Sequence, residues 1–526
     1  MRSFCMALIL AFGIVRSAYC SVPVRPLSGM AASTEFELCG TLLFAREAGE
    51  NFVYVPQRRR GASAWDEGRI VKYRIADDGS LMPIWASTVP ASRVLLAPPT
   101  KTGAFTSGQL RPFFDDLPLL AQAAGLDEDT ARRLGVFYQK KAQGAPYPTA
   151  FVLVKDTLYT QGDDGLISAF GAGDGVERWA ALLPHMLTNE RAGAVLSAGA
   201  VPPWLTAGGL TAEKCEISDT DERVLLWGTL GAAGRGIYCL DVDVPAAPAF
   251  HWAREETSTG ADVFWSCADD QALRAGFTAA APVVPASRGG QTLLLPSGAG
   301  VSGRLWALDA AAGSVQRSCP GGDGISFKFS PLALQSARGE LTRLIVADEA
   351  GGVQEFVCSG DYFAWQRRLD LRQISGADDL DLLSAPLLCP LAGENWLAFI
   401  GAASEGTVVT ACPLPLRERL WSDLPWRGGG WGWYHIYEGF HSVVSAAFFD
   451  GLLYLSGTED GRAVVKIIDI TGQRFEKTQE LPQKDSVLLV VDGQVIALGN
   501  RDGALSATTV TALGFSSSSV LYTLFH

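Results

Sequence analysis

Apolar and polar residues alternate in short runs along most of the chain, and glycine-containing turns separate the runs. One unit reads Leu158-Tyr159-Thr160, then Gly162-Asp163-Asp164-Gly165, then Leu166-Ile167-Ser168-Ala169-Phe170, then Gly173-Asp174-Gly175 and Trp179. Alternation with a period of two predicts half-buried strands. Asp-Gly and Gly-Asp steps supply the positive φ that tight hairpins need. A tryptophan often closes the unit, at Trp85, Trp179, Trp252, Trp365 and Trp421. A side chain that large can fill the wedge between adjacent sheets.

The unit recurs. Strong copies surround Gly165, Gly236 and Gly303, weaker ones begin at Gly68, Gly352 and Gly406, and two late ones begin at Gly461 and Gly503. From Gly236 onward the spacing is 42 to 67 residues. Periods of this size mark solenoids or propellers, and four strands per unit fit a β-propeller. A large β-sandwich does not explain the recurrence. The reading is all-β: a single propeller of seven four-stranded blades, with eight as the alternative, over about 40–520. The 97 residues from Gly68 to Gly165 exceed one blade. Within them, 115–141 reads as an inserted helical pair on one propeller face. Asp127 is placed to cap the second helix, Glu128 and Asp129 to fill its first turn, and Lys140 and Lys141 to suit its end. Residues 21–39 form a lead-in and 521–526 the C-terminal end. The run Val520 to Phe525 (VLYTLF) is expected to close the ring against strands from the N-terminal end, hiding both edges.

Composition changes the picture in two places. Lys plus Arg is 43 against 56 for Asp plus Glu, a net charge of −13, and the longest basic run is Arg58 to Arg60. An acidic chain repels phosphate backbones, which disfavours nucleic acid as a partner. The start of the chain reads as an address. Arg2, the apolar run Cys5 to Val15, and the small residues Ala18 and Cys20 form a secretory signal cleaved after Cys20. That run is too short to span a bilayer, and no later segment is long and apolar enough to be a membrane helix. Tyr19 argues against lipidation of Cys20. Export leaves eight cysteines and permits disulfides, although Cys239 and Cys358 sit in alternating segments and read equally well as buried thiols. There is no CxxC pair, and His185, His251, His435, His441 and His526 lack metal-ligand spacing. No metal and no cofactor is expected.

The copies at 169–179 and 307–317 follow the spacing Ala-x-Asp-x-x-Thr-Gly-x-x-x-Trp of quinoprotein-like propellers. They depart from it at Gly171 and Asp174 in the first and at Ala312 and Arg317 in the second. Longer stretches resemble the C-terminal propeller of PilY/PilC-type pilus biogenesis and adhesin proteins. These are GDDGLISAFGAGDGVERWAALLPHML (162–187), WGTLGAAGRGIYCLDV (227–242), and Ala281-Pro282-Val283-Val284 followed by LLLPSGAG and GRLWALDAAAG. Gly430-Trp431-Gly432-Trp433-Tyr434 and the TGQ at 471–473 continue the same order. The resemblance spans roughly 60–475. It implies a non-catalytic exported propeller in type IV pilus biogenesis or adhesion, located in the periplasm, at the outer-membrane surface or in the pilus. Its partners would be pilus or secretion-machinery subunits. The family's calcium loop would fall near Leu341 to Gly352, where LTRLIVADEAGG lacks alternating carboxylates. Asp219-Thr220-Asp221 lacks the glycine of an EF-hand-like loop and reads as a solvated turn.

Two alternatives stand beside this reading. One is an outer-membrane assembly scaffold on the same propeller type. The other is a quinone-dependent dehydrogenase, which needs a calcium-held cofactor and an Asp base. Its candidate bases, Asp262 and Asp348, look like ordinary loop carboxylates, and no two cysteines are adjacent. Gly298 to Gly303 matches GxGxxG, but a strand pattern rather than a helix follows it, so nucleotide binding is not expected. Trp426 and Trp431, beside Gly428 to Gly430, are the candidate partner contacts. Trp433 and His435 alternate as in a strand, which points to packing between blades.

Overall fold

The structure is a computed structural model of the chain. It describes residues 36–510, apart from 39–41, 60–67, 77–79, 91–92, 141–147, 163, 199–207, 219–220, 231–234, 257–261, 266–281, 284–291, 298–303, 321–326, 328, 337–339, 349, 360–361, 392, 417–420, 423–431, 472–475 and 502–503. Eight sheets follow one another along the chain as the eight blades of a β-propeller. Four strands in simple antiparallel succession make the standard blade, for example Leu332–Gln335, Leu341–Ala347, Gly352–Ser359 and Tyr362–Asp370 in blade 5. First strands of blades 1 and 2, 2 and 3, 6 and 7, and 7 and 8 touch one another, which puts the first strands toward the centre and the fourth strands outside.

The third strand is the legible one. In blades 1 to 8 it is Gly68–Ile75, Ile167–Gly171, Arg235–Asp241, Arg304–Asp309, Gly352–Ser359, Gly406–Pro413, Arg462–Asp469 and Ala504–Val510. Each of the eight recurrent glycines in the sequence opens one of these strands or stands within two residues before or after its start. Counting the copies therefore gives eight blades, the alternative to seven. The long step from Gly68 to Gly165 holds no missing blade. Leu95–Ala97 instead adds to the outer edge of blade 2, parallel to its fourth strand Glu177–Ala181. The expected helices follow as α1 (Leu117–Ala124) and α2 (Glu128–Lys140). Gly125, with φ of 66°, ends α1, and Asp127 accepts the Thr130 backbone N–H at the start of α2. Two further helices, α3 (Asn189–Ala198) and α4 (Leu371–Ser375), have no counterpart in the sequence reading. Both are short and lack the broad apolar stripe that announces a helix.

One interaction recurs between blades. A fourth-strand tryptophan donates its indole N–H to a backbone carbonyl in the turn between third and fourth strands of the next blade. Trp85 of blade 1 reaches Ala172 at 3.0 Å and Trp179 of blade 2 reaches Pro245 at 2.8 Å. Trp252 of blade 3 reaches Ala310 at 3.3 Å, and Trp433 of blade 6 reaches Ile470 at 2.8 Å. In blades 1, 2, 3 and 5 the tryptophan pairs at a register shift, Trp85 with Lys72, Trp179 with Ala169, Trp252 with Cys239 and Trp365 with Phe356. Such a bulge re-aims the side chain out of the strict alternation. Blade 4 keeps the shift but places Arg317 there, the departure already visible in the sequence. In blade 6 the wedge residue is Trp433 and not the expected Trp421. Trp421 belongs to a short outer strand, Trp421–Ser422, that lies parallel to Gly432–Glu438.

The ring closes through side chains. Val53, Val55 and Ile75 of blade 1 pack with Val491, Ile496 and Leu498 of blade 8. Arg46 and Asn51 of blade 1 meet Asp492 in a blade 8 turn. That turn, Asp492-Gly493, has positive φ at both residues, as do Asp450-Gly451 and Asp460-Gly461. The expected pairing of Val520 to Phe525 and the cleaved signal lie outside the described residues.

Gly175 combines the turn and the wedge. Its φ is 68°, and a Cβ there would come within 2.4 Å of the Trp85 ring. Gly173, two residues away, has open space around it. Gly175→Ala is therefore expected to cost about 2–4 kcal/mol, from left-handed backbone strain plus overpacking. Gly173→Ala should stay within about 1 kcal/mol of the parent. Urea denaturation of the pair measures the difference.

Candidate functional site

The two candidate contacts, Trp426 and Trp431, lie outside the described residues. Trp433 is fully buried between blades 6 and 7, and His435 stands edge-on to Tyr437 at 4.5 Å. Asp348 sits in the turn between second and third strands of blade 5, where its carboxylate accepts the Gly352 N–H at 2.8 Å. Burial raises its pKa above the usual aspartate value. The segment 341–352 is thus a strand and a carboxylate-closed tight turn. Asp262 begins the short strand Asp262–Trp265, which adds outside the fourth strand of blade 3, far from the first strands at the centre. The two candidate bases are not brought together. Asp221 pairs with Arg223 beside its own turn. Cys215, Cys239, Cys358, Cys389 and Cys412 are buried thiols, and no disulfide joins described residues. Burial pushes the Cys215 thiol up to about 12, away from the reactive thiolate. Among the described residues, no group of three or more His, Cys, Asp or Glu could hold a metal ion.

The most elaborated part of the ring is one end of blades 2 and 3. In a four-stranded meander the turn from second to third strand and the exit from the fourth lie at the same end. Here that end carries α2, whose Tyr138 donates to the Asp164 carbonyl at 3.0 Å in the second turn of blade 2. It also carries the connection leaving blade 2, a 3-10 turn at Pro184–Leu187 followed by α3. Asn189 at the start of α3 donates to the Gly125 carbonyl at 2.8 Å, which joins this connection to the α1–α2 pair. The helices, blade 2 and blade 3 share one apolar cluster, from Leu95 and Phe113 through Tyr138 and Leu187 to Phe250.

Buried charge fixes this assembly. Arg93, just before the outer strand Leu95–Ala97, makes a two-pronged bridge to Glu177, with both N···O distances 2.7 Å. It also donates to Ser168 at 3.2 Å, and its Nη1 lies 3.8 Å from Asp164 Oδ2. Burial lowers the Arg93 pKa, but Glu177 and Asp164 outweigh it and hold the guanidinium more firmly charged than usual. Arg191 of α3 donates to Glu255 of blade 3 and to the His185 carbonyl, each at 2.5 Å. Desolvation is the largest influence on the Glu255 carboxyl and raises its pKa, against the pull of Arg191. His185 is buried, stacked on Tyr238 with ring centres 5.9 Å apart, and its Nδ1 has no hydrogen-bond partner. Arg93 with Glu177, and Arg191 with Glu255, hold one another and fix the helical platform to the two blades. Its outward side on α2 exposes Glu128, Asp129, Arg132 and Arg133, a surface of mixed sign. Among the described residues, no helix is long and apolar enough to cross a membrane.

The helical pair was legible in the sequence, but Arg93, Glu177, Arg191 and Glu255 were not. Pairs separated by 84 and 64 residues leave no local signal. No family model and no curated protein matches the sequence. Solved structures similar to this chain include the C-terminal domain of PilY1 from Pseudomonas aeruginosa. It is 14% identical with a TM-score of 0.45, and the match covers 67% of this chain and 92% of that one. A europium-containing methanol dehydrogenase is 11% identical with a TM-score of 0.43, over 89% and 85% of the two chains. At these identities the likenesses concern the fold and assign neither activity nor partner.

Two outcomes are expected. Glu177→Ala leaves Arg93 buried without its main partner and should lose about 3–5 kcal/mol of stability. An Arg132→Ala change in the exposed pair with Glu128 should lose less than about 1 kcal/mol. The second concerns pH. Burial, and after it Arg191, hold the His185 pKa well below 6.5. Between the two pKa values the unfolded chain binds a proton at this site and the folded chain does not. Its contribution to stability is therefore intact above pH 6.5 and declines as pH falls below it, by up to about 1.4 kcal/mol per unit. His185→Phe, which keeps a ring against Tyr238, should flatten this slope in denaturation midpoints between pH 5 and 7.5.

Proposed function

We propose that the chain is an exported, non-catalytic interaction propeller, serving as a type IV pilus biogenesis or adhesion component. The observation that carries this reading is the helical platform keyed by buried ion pairs onto blades 2 and 3. A ring of sheets needs no such addition to fold, and connecting segments held by a rigid scaffold are where binding function concentrates. The pilus assignment rests on the ordered motifs of the sequence. Stretches 162–187 and 227–242 begin at the second turn of blade 2 and in the second strand of blade 3, and both continue through the third strand. Trp426 and Trp431 supply a second contact region, and residues 1–20 are removed on export, leaving a mature chain that starts near Ser21.

Crosslinking from a photoreactive residue at Arg133, in the cell that makes the protein, tests the reading. Recovery of pilin-like or secretion-machinery subunits is expected, with a lower yield from Trp426→Ala/Trp431→Ala. Recovery of outer-membrane assembly proteins instead would replace the pilus role with that of an assembly scaffold. Turnover of an alcohol or sugar with a bound quinone would overturn the non-catalytic reading.

A further inference from the structure

Among the described residues blade 8 differs from the other seven in lacking a strand outside its third; the blade 4 sheet, also of three strands, keeps its fourth. The strands of blade 8 are Lys484–Val491, Gln494–Arg501 and Ala504–Val510. In each of blades 1 to 7 the third strand pairs on its outer side with a fourth strand that comes later in sequence and runs antiparallel to it. In blade 8 the third strand pairs on one side with Gln494–Arg501, from Val495 opposite Val510 to Arg501 opposite Ala504. On its other side it pairs with no strand among the described residues, and Ser506 to Thr509 stay half-exposed. An open edge of this length is a template for any extended chain.

We propose that residues 520–525 of this same chain add to that edge as the fourth strand of blade 8, antiparallel to Ala504–Val510. Sixteen residues follow Val510, and Val520-Leu521-Tyr522-Thr523-Leu524-Phe525 is the strand-forming stretch among them, rich in β-branched and aromatic side chains and free of proline. The connection from 510 to 520 has a length the other blades already use. Theirs range from Ser359 to Tyr362 in blade 5 up to Pro413 to Gly432 in blade 6. The competing segment is 21–35, which precedes blade 1. It carries Pro23 and Pro26, each of which removes a ladder donor. The C-terminal segment also brings Tyr522 and Phe525, where the fourth strands of blades 1, 2, 3 and 6 bring tryptophan. The ring is thereby closed twice, by the packing of blade 8 on blade 1 and by a strand that seals its last edge.

Hydrogen exchange of the full chain, resolved to single amides over 505–510, tests the assignment. These amides divide into a set bonded to Gln494–Arg501 and a set facing the open edge. Both sets are expected to be protected in the parent. Leu521→Pro/Thr523→Pro should speed exchange of the edge-facing set by about a hundredfold and leave the other set unchanged, which shows the blade intact. If the two prolines unfold the ring, Tyr522→Gly serves as the milder variant, with about a tenfold increase in the same set. Edge-facing amides that exchange freely in the parent would overturn the proposal. So would protection indifferent to these substitutions. In that case dependence on protein concentration identifies a second copy on the edge, and independence identifies the N-terminal segment.

Discussion

Everything in this ring depends on how one flat sheet is keyed to the next. Apolar faces pack without direction and would let blades slide. The indole N–H of a fourth-strand tryptophan, given to a carbonyl of the next blade, supplies direction. It fixes the height of one blade against its neighbour at four of the junctions. The same constraint explains the bulges that turn Trp85, Trp179 and Trp252 out of the strand, and the glycine at the turn on which the ring rests. Gly313 faces Trp252 as Gly175 faces Trp85. A side chain at either glycine would push the wedge out and separate two blades.

The second constraint is electrostatic and local. Around blade 2 the chain departs from the repeat, and buried arginines bind the departure back to the ring. A buried ion pair adds little net stability over well-packed apolar residues, yet it penalises every arrangement in which one partner is left alone. Arg93 with Glu177, and Arg191 with Glu255, therefore act as selectors of a single placement for the helices. The exposed mixed-sign face of α2 is presented at a fixed height as a result.

The repeat was legible because it is made of local chemistry. Alternation, Asp-Gly turns and a tryptophan after the third strand are all written within about twenty residues, and eight glycines mark eight third strands. What stayed illegible was non-local. The partner of Arg93 is 84 residues away, and that of Arg191 is 64 residues away. Trp421 and Trp433 follow the same third strand; the alternation of Trp433 with His435 already pointed to packing between blades, and pairing with Ala411 shows that Trp433, not Trp421, is the residue on the fourth strand. The α3 segment, NERAGAVLSA, has small residues where a helix normally shows an apolar stripe, so its helicity comes from the cluster that receives it.

Closure between blade 1 and blade 8 has a consequence in time. Asn51 meets Asp492 across 441 positions, so the contact cannot exist until nearly the whole chain has been made. Contacts this distant in sequence slow folding, because a long loop must be ordered before the contact rewards it. Until then blade 1 has a bare flank, whereas Cys215, Cys389 and Cys412 take their cover earlier, as blade 3 meets blade 4 and blade 6 meets its two neighbours. In an oxidising compartment the sequence of events then matters. A chain that oxidised before these neighbouring blades had packed would trap cysteines in pairs that the finished blades hold apart, while the flank of blade 1 waits for the last blade without exposing a thiol among the described residues.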